Sequence, residues 1–65
     1  MISKDDLNSL NLIDKKVELK MKDGKRYVGY VTNLSADKEG DYVVHILTGK
    51  SSQFDRKDID EMKLL

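Results

Sequence analysis

Residues 16–31 read K-V-E-L-K-M-K-D-G-K-R-Y-V-G-Y-V, and they contain the clearest structural pattern of the sequence. Apolar Val17, Leu19 and Met21 alternate with charged residues, a period of two that is typical of a half-buried β-strand. The Asp23-Gly24 pair that follows is a strong hairpin signal and predicts a type I′ turn, which requires positive φ at both positions. The sequence therefore predicts two antiparallel strands that reverse direction at this pair.

The strand that returns from this hairpin is predicted to run from Lys25 to Leu34. Tyr27, Gly29 and Val31 share its inner face. The outer face carries Arg26, Val28, Tyr30 and Thr32. Gly29 has no side chain to pack, so this position indicates a bulge, a sharp bend or a close backbone approach. A small barrel requires such a bend where one strand passes from one side to the other.

Three more strands are predicted after residue 34. A polar loop spans residues 35–40, and the strand at 41–48 is apolar on both faces, which is typical of a central strand covered on both sides. The remaining elements are a tight turn at Thr48-Gly49, a polar strand at 50–54, one helical turn at 55–58, and a last strand at 59–65 with Ile59, Met62 and Leu64 inward.

At the start of the chain the pattern is helical, with Ser3 as a cap and Leu7 and Leu10 as an apolar stripe, and the helix is predicted to end near Asn11. The fold class is therefore mainly β: a short N-terminal helix followed by a five-stranded, strongly bent antiparallel small barrel. We expect a single domain over 1–65, with residues 1–14 as helix and connector and 15–65 as the barrel. A chain this small buries only about 60% of its unfolded surface, so self-association would supplement its core.

The composition narrows the classes of function. The 65 residues contain twelve basic and twelve acidic side chains and no cysteine, so the formal net charge is zero. Disulfides, a thiolate nucleophile and a Cys-type zinc site are excluded, and a generic nucleic-acid coat would carry a large basic excess. No apolar run approaches the roughly 20 residues that span a bilayer, and no signal-peptide pattern is present. We therefore expect a cytoplasmic protein with no membrane partner.

Catalysis is not expected from these residues. His45 is the only histidine, and it lies in mid-strand with no candidate nucleophile near it in the sequence. One histidine and scattered carboxylates form no metal-ligand cluster, and Asp37–Asp41 lacks the frame of a calcium loop. The sequence thus predicts a binding module with no enzyme activity, no metal and no cofactor.

Two binding functions stay open, and the first is binding of RNA or single-stranded nucleic acid. Lysine and arginine side chains contact phosphates while bases stack on an aromatic ring. The candidate residues are Lys16, Lys20, Lys22, Lys25, Arg26 and Tyr30, with Arg56 assisting. The alternation makes several of them neighbours on one face, although a solvated strand exterior explains the same pattern.

The second function is docking on a larger protein, as an adaptor or inhibitor. Val28 and Tyr30 beside Arg26 combine apolar, aromatic and arginine side chains, as the centres of interfaces do. In the alternative interpretation the N-terminal helix covers this face. The apolar chain end, Leu64 and Leu65, offers a further route by strand addition, which would give a homo-oligomer if the partner is another copy.

Residues 16–31 also resemble the first motif of the Sm-like family, which shares its type of hairpin with other SH3-like barrels. The matching features are Lys22-Asp23-Gly24 and a second glycine, Gly29, five residues after the first. The resemblance covers roughly residues 7–34 and implies an RNA-binding regulator with a five-stranded bent barrel. It also implies rings, in which the last strand of one copy pairs with the fourth strand of the next.

The resemblance is less complete at the loops through which the family binds RNA. Arg56 matches the arginine of the family's second motif, but Lys57 stands in place of its glycine. Ser35 stands in place of an aspartate, and Asp37 falls where a base-stacking side chain is expected. Because of these departures, any RNA contact of this chain is expected at the basic hairpin and not at those loops.

Overall fold

The computed structural model describes residues 12–65, and the predicted N-terminal helix lies outside the described residues. The described chain forms β1 (Lys16–Met21), β2 (Arg26–Ala36), β3 (Tyr42–Leu47), β4 (Ser51–Asp55), a 3₁₀ turn (Arg56–Asp58) and β5 (Ile59–Leu64). All neighbouring strands pair antiparallel in one sheet of order β4-β3-β2-β1-β5. The prediction of a mainly β domain with five antiparallel strands is confirmed.

The predicted closure into a barrel is wrong. β4 and β5 stand at opposite ends of the strand order, and within residues 12–65 they are not hydrogen-bonded to each other. The 3₁₀ turn between them directs the chain towards β1, where Ile59 pairs with Met21. A closed barrel requires that the first and last strands of the sheet share a ladder of hydrogen bonds. The described chain is therefore an open sheet in which β4 and β5 are the two edge strands.

The turn between β1 and β2 differs from the predicted type I′. Gly24 has a φ of +90°, but the φ of Asp23 is not positive. Among the described residues, Asp14 is the only non-glycine residue with a positive φ. The Gly24 N–H donates to the Met21 carbonyl at 3.0 Å, and the Met21 N–H donates to the Lys25 carbonyl at 2.8 Å. This is the pattern of a three-residue loop that ends in a left-handed glycine.

The core lies on the inner side of the curled sheet. It consists of the buried apolar side chains Leu12, Val17, Leu19, Met21, Val31, Val44, Ile46 and Ile59. The predicted inner faces of β1 and β2 are confirmed. On β5 the predicted inward Leu64 pairs with Val17 but stays half exposed, because β5 is an edge strand with no neighbour beyond it in the described chain.

Gly29 lies at a close backbone approach, one of the three features that the sequence predicts for this position. A Cβ at this position would overlap the carbonyl oxygen of Leu47, and it would lie 2.9 Å from the Leu47 carbonyl carbon and 3.0 Å from Ile46 Cγ1. The ladder between β2 and β3 also slips between Val31 and Asn33, which leaves Thr32 as a bulge residue. The missing side chain and the bulge together allow the end of β3 to lie unusually close to β2.

The end of β2 and the burial of β3 also differ from the predictions. β2 continues to Ala36, so the predicted loop at residues 35–40 is reduced to Asp37–Asp41. On β3 the inner Val44 and Ile46 are buried, whereas Leu47 on the outer face is 45% exposed. The prediction that β3 is covered on both sides is therefore wrong at its end.

We expect Gly29→Ala to destabilise the fold at the upper end of the about 1–3 kcal/mol that overpacking costs, because the new methyl group meets a backbone oxygen. Gly49→Ala is the matched control. Its Cβ enters open space, and the cost of about 1 kcal/mol comes from the φ of +92° alone. Urea unfolding followed by circular dichroism measures both. A Gly29→Ala chain as stable as the Gly49→Ala chain would contradict the close approach.

Candidate interaction surface

The registers of β1, β2, β3 and β5 bring most of the predicted site residues onto the side of the sheet opposite the core. We call this side the outer face. It carries Lys16, Glu18, Lys20, Arg26, Val28, Tyr30, Leu47, Glu61 and Lys63. Each pair of residues that face each other across two strands contacts directly on such a surface. The outer face is thus the natural place to compare the two predicted binding functions.

An apolar patch occupies the centre of the outer face. It consists of Val28, Tyr30 and Leu47, which are 45%, 51% and 45% exposed. Tyr30 pairs directly with Leu47 across the β2–β3 ladder, and Val28 lies two residues away on the same side of β2. The sequence did not identify Leu47 as a member of this patch, because its pairing with Tyr30 depends on the register between β2 and β3.

On β1 and β5 the cations of the outer face alternate with carboxylates. Lys20 pairs with Glu61 on one side and with Arg26 on the other. Glu18 pairs with Lys63, and its Oε1 lies 3.6 Å from Nη1 of Arg26. Opposite charges that face each other across strands attract and partly neutralise each other. The predicted basic face is therefore a mixed-charge surface with a small positive excess.

Lys16 stands apart from this alternation, because it pairs with Tyr30. An ammonium group next to an exposed ring is an arrangement that can receive a phosphate and a stacked base. Lys22 and Lys25 lie exposed in the turn after β1, at the tip of the same hairpin. The structure thus brings Lys16, Lys20, Arg26 and Tyr30 onto one face and leaves the two turn lysines at its end.

Arg56 does not join these residues. It lies in the 3₁₀ turn, where its Nε donates to Asp41 Oδ1 at 2.6 Å and its Nη2 donates to Asp41 Oδ2 at 3.0 Å. The hydrogen bond with Asp41 raises the pKa of Arg56; burial opposes this effect and the attraction between the charges reinforces it. The Arg56 side chain is only 13% exposed. A two-point ion pair of this kind fixes the 3₁₀ turn against the start of β3.

The acidic loop Asp37–Asp41 is held by its own carboxylate. Asp37 Oδ1 accepts the N–H groups of Glu39 and Asp41, both at 2.9 Å. The Asp37 N–H donates to the Asp41 carbonyl at 2.8 Å, which closes the loop. Among residues 12–65 no group of three metal-ligating side chains is positioned to hold an ion. The first acidic residue of this loop therefore has a structural role.

The end of β5 forms an exposed edge. Leu64 and Leu65 are 50% and 60% exposed, and the Leu65 N–H donates to the Lys16 carbonyl at 3.0 Å. Successive N–H groups of a strand point to opposite sides, so the N–H of Leu64 points away from β1. At the other end of the sheet, β4 has a hydrogen-bonded neighbour on one side only within the described chain. Among residues 12–65, therefore, no strand covers either edge of the sheet.

His45 has a partner that the sequence reasoning did not identify. Its Nε2 lies 2.7 Å from Ser35 Oγ, on the neighbouring strand, and both side chains are half buried. This contact joins residues ten positions apart, and it depends on the β2–β3 register. A nucleophilic serine also requires a group that orients the histidine and a site for the reacting oxygen. We assign the contact to the stability of the β2–β3 ladder.

Comparisons with protein-family models, with curated proteins and with solved structures give no match for this chain. The resemblance to the Sm-like family thus stays a prediction from the hairpin residues. In residues 12–65 no helix has the length and the apolar character that crossing a bilayer requires.

The two arginine ion pairs are expected to differ in their effect on stability. Arg56→Lys should lower the melting temperature clearly, because an ammonium group cannot reproduce the two-point contact with Asp41. Arg26→Lys is the matched control: its pair with Glu18 is exposed, so the change should stay within about 0.5 kcal/mol. Thermal unfolding followed by circular dichroism measures both. Equal melting temperatures for the two variants would contradict the structural role of Arg56.

Proposed function

We propose that this chain is a non-enzymatic binding module that docks on a larger protein through the apolar patch. The observation that carries the proposal is the direct pairing of two exposed side chains, Tyr30 and Leu47, with Val28 beside them. Tyrosine supplies a large contact area with few rotatable bonds, and such residues dominate binding energy at the centre of interfaces. The module would act as an adaptor or an inhibitor of its partner.

The charges around the patch support a protein partner. Interfaces have an apolar centre and a polar rim, and the rim favours correct partners through complementary charges. Here the rim carries both signs, with Glu18 and Glu61 set among Lys20, Arg26 and Lys63. A phosphate backbone would be repelled by those two carboxylates, whereas a protein surface of mixed charge would match them.

Single-stranded nucleic acid, RNA in particular, is the second candidate. The pairing of Lys16 with Tyr30 favours it, because a base could stack on the ring while the ammonium group meets a phosphate. Lys20, Lys22, Lys25 and Arg26 would extend the phosphate contacts along the hairpin. In this proposal the chain is an Sm-like regulator that uses its hairpin, and Arg56 assists only through the position of the 3₁₀ turn.

Self-association would use the free edges. The Sm-like resemblance implies pairing of the last strand with the fourth strand of another copy, and β5 and β4 are the two edges of this sheet. Leu64 and Leu65 would gain cover from such pairing. The chain has no cysteine, which suits the reducing conditions of the cytoplasm, and we propose that location.

A capture experiment separates the two candidates. The full chain is immobilised and exposed to a nuclease-treated lysate of the source cells, and bound proteins are quantified by mass spectrometry. A Tyr30→Ser/Leu47→Ser variant should capture at least tenfold less of the partner protein, because aromatic residues at the centre of an interface contribute about 2 kcal/mol or more to the binding free energy. The control, Lys16→Gln/Lys20→Gln, should retain it within about threefold, since rim charges contribute little.

Nucleic-acid binding is measured in parallel with a labelled single-stranded oligonucleotide. If the second candidate is correct, the Lys16→Gln/Lys20→Gln variant lowers the slope of log affinity against log salt by about 1.4, because each lost phosphate contact removes about 0.7. A dissociation constant above about 10 µM at low salt would exclude nucleic-acid binding as the function. A captured protein that both variants retain equally would exclude the apolar patch as the docking surface.

Strand addition makes a separate prediction. Leu64→Pro removes an N–H that points away from β1, so it should abolish oligomers that form through β5 and leave the ladder to β1 intact. Leu64→Ala is the control that trims the side chain and keeps the N–H. Size exclusion with light scattering, run with and without nuclease, measures the mass of each chain. An oligomer that persists in Leu64→Pro would contradict pairing at this edge.

A further inference from the structure

A cleft of about 330 Å³ opens on the inner side of the sheet, away from the outer face. It lies between the turn after β1 and the segment that joins β4 to β5, where the open sheet leaves a gap. Its lining residues are Met21, Lys22, Asp23, Tyr27, Phe54 and Asp58. Of these lining residues only Lys22 belongs to a binding surface proposed above, as one of the hairpin lysines.

The walls of the cleft are held in place by contacts of the fold. The rings of Tyr27 and Phe54 have centroids 4.7 Å apart and planes tilted by 36°. The Lys22 N–H donates to the Asp58 carbonyl at 3.0 Å, which ties the turn after β1 to the 3₁₀ turn. Met21 is buried beneath them. A cleft with such fixed walls exists before a ligand arrives, as most binding sites do.

The chemistry of the lining changes from inside to outside. Met21, Tyr27 and Phe54 form the buried and half-buried part, which is apolar and largely aromatic. Lys22, Asp23 and Asp58 form the exposed part, which carries one ammonium group and two carboxylates. The rim therefore has an excess of one negative charge. Aromatic faces also attract cations, so both parts of the lining favour a cationic ligand.

We propose that this cleft binds the guanidinium group of an arginine side chain from a partner protein. A guanidinium is flat, stacks on aromatic rings and pairs with carboxylates through parallel N–H groups. Stacking would use the rings of Tyr27 and Phe54, and pairing would use the carboxylate of Asp58. The volume is near the lower end of ligand sites, which suits one side chain. The ammonium of Lys22 supplies the competing possibility, an anion.

The test uses the full ¹⁵N-labelled chain and N-acetyl-arginine-methylamide as the probe. The amide signals of Gly24 and Asp58 should shift and saturate in the millimolar range, which is ordinary for a single side chain. The citrulline analogue has the same shape without the charge and should bind at least tenfold more weakly. Inorganic phosphate should produce no saturating shift of these signals. Because the probe is an amino-acid derivative alone, failure of docking on the outer face would leave this result unchanged.

Two variants locate the binding within the cleft. Asp58→Asn keeps the backbone carbonyl that Lys22 contacts and should weaken the probe at least threefold, whereas Glu39→Gln removes the same charge from an exposed loop position and should bind as wild type. Phe54→Leu, with its fold verified from its amide spectrum, should weaken the probe as well. Equal binding of citrulline, preferential binding of phosphate, or an unchanged affinity in Asp58→Asn would overturn the proposal.

Discussion

The backbone of β2 at Gly29 lies so close to the carbonyl of Leu47 that no side chain can be accommodated at this position. Only a hydrogen atom fits between them, so the end of β3 lies close against β2 without a side chain in the way. In the antiparallel ladder formed there, Val31 and Ile46 face the core, which gathers the buried apolar residues on one side. The neighbouring pair, Tyr30 and Leu47, lies on the opposite, outward side.

Charge has two distinct uses in this small domain. Arg56 and Asp41 are largely shielded from water, and their two hydrogen bonds hold the 3₁₀ turn at the start of β3. Arg26 and Glu18 form a longer and more exposed pair that leaves both groups available to a partner. Burial is what separates a structural ion pair from a recognition surface here, since solvent weakens the attraction between exposed charges. The zero net charge of the chain conceals this difference.

Local patterns were sufficient to predict part of this architecture. The alternation from Lys16 to Met21 and the Asp23-Gly24 pair predicted the first hairpin and its inner face correctly. Features that depend on contacts distant in sequence were not accessible. The contact of Arg56 with Asp41 follows from the β3–β4 register, in which Val43 faces Asp55. The pairing of Tyr30 with Leu47 follows from the β2–β3 register, which is offset by a bulge at Thr32. No period of hydrophobicity encodes the position of such a bulge.

The exposure of Tyr30 has an optical consequence. The chain contains three tyrosines and no tryptophan, so its ultraviolet emission comes from tyrosine alone. Tyr27 and Tyr42 are half buried, while Tyr30 is open to solvent at the centre of the apolar patch. A soluble quencher such as iodide therefore reaches Tyr30 most easily. Shielding of this one fluorophore would report occupancy of the outer face without any attached label.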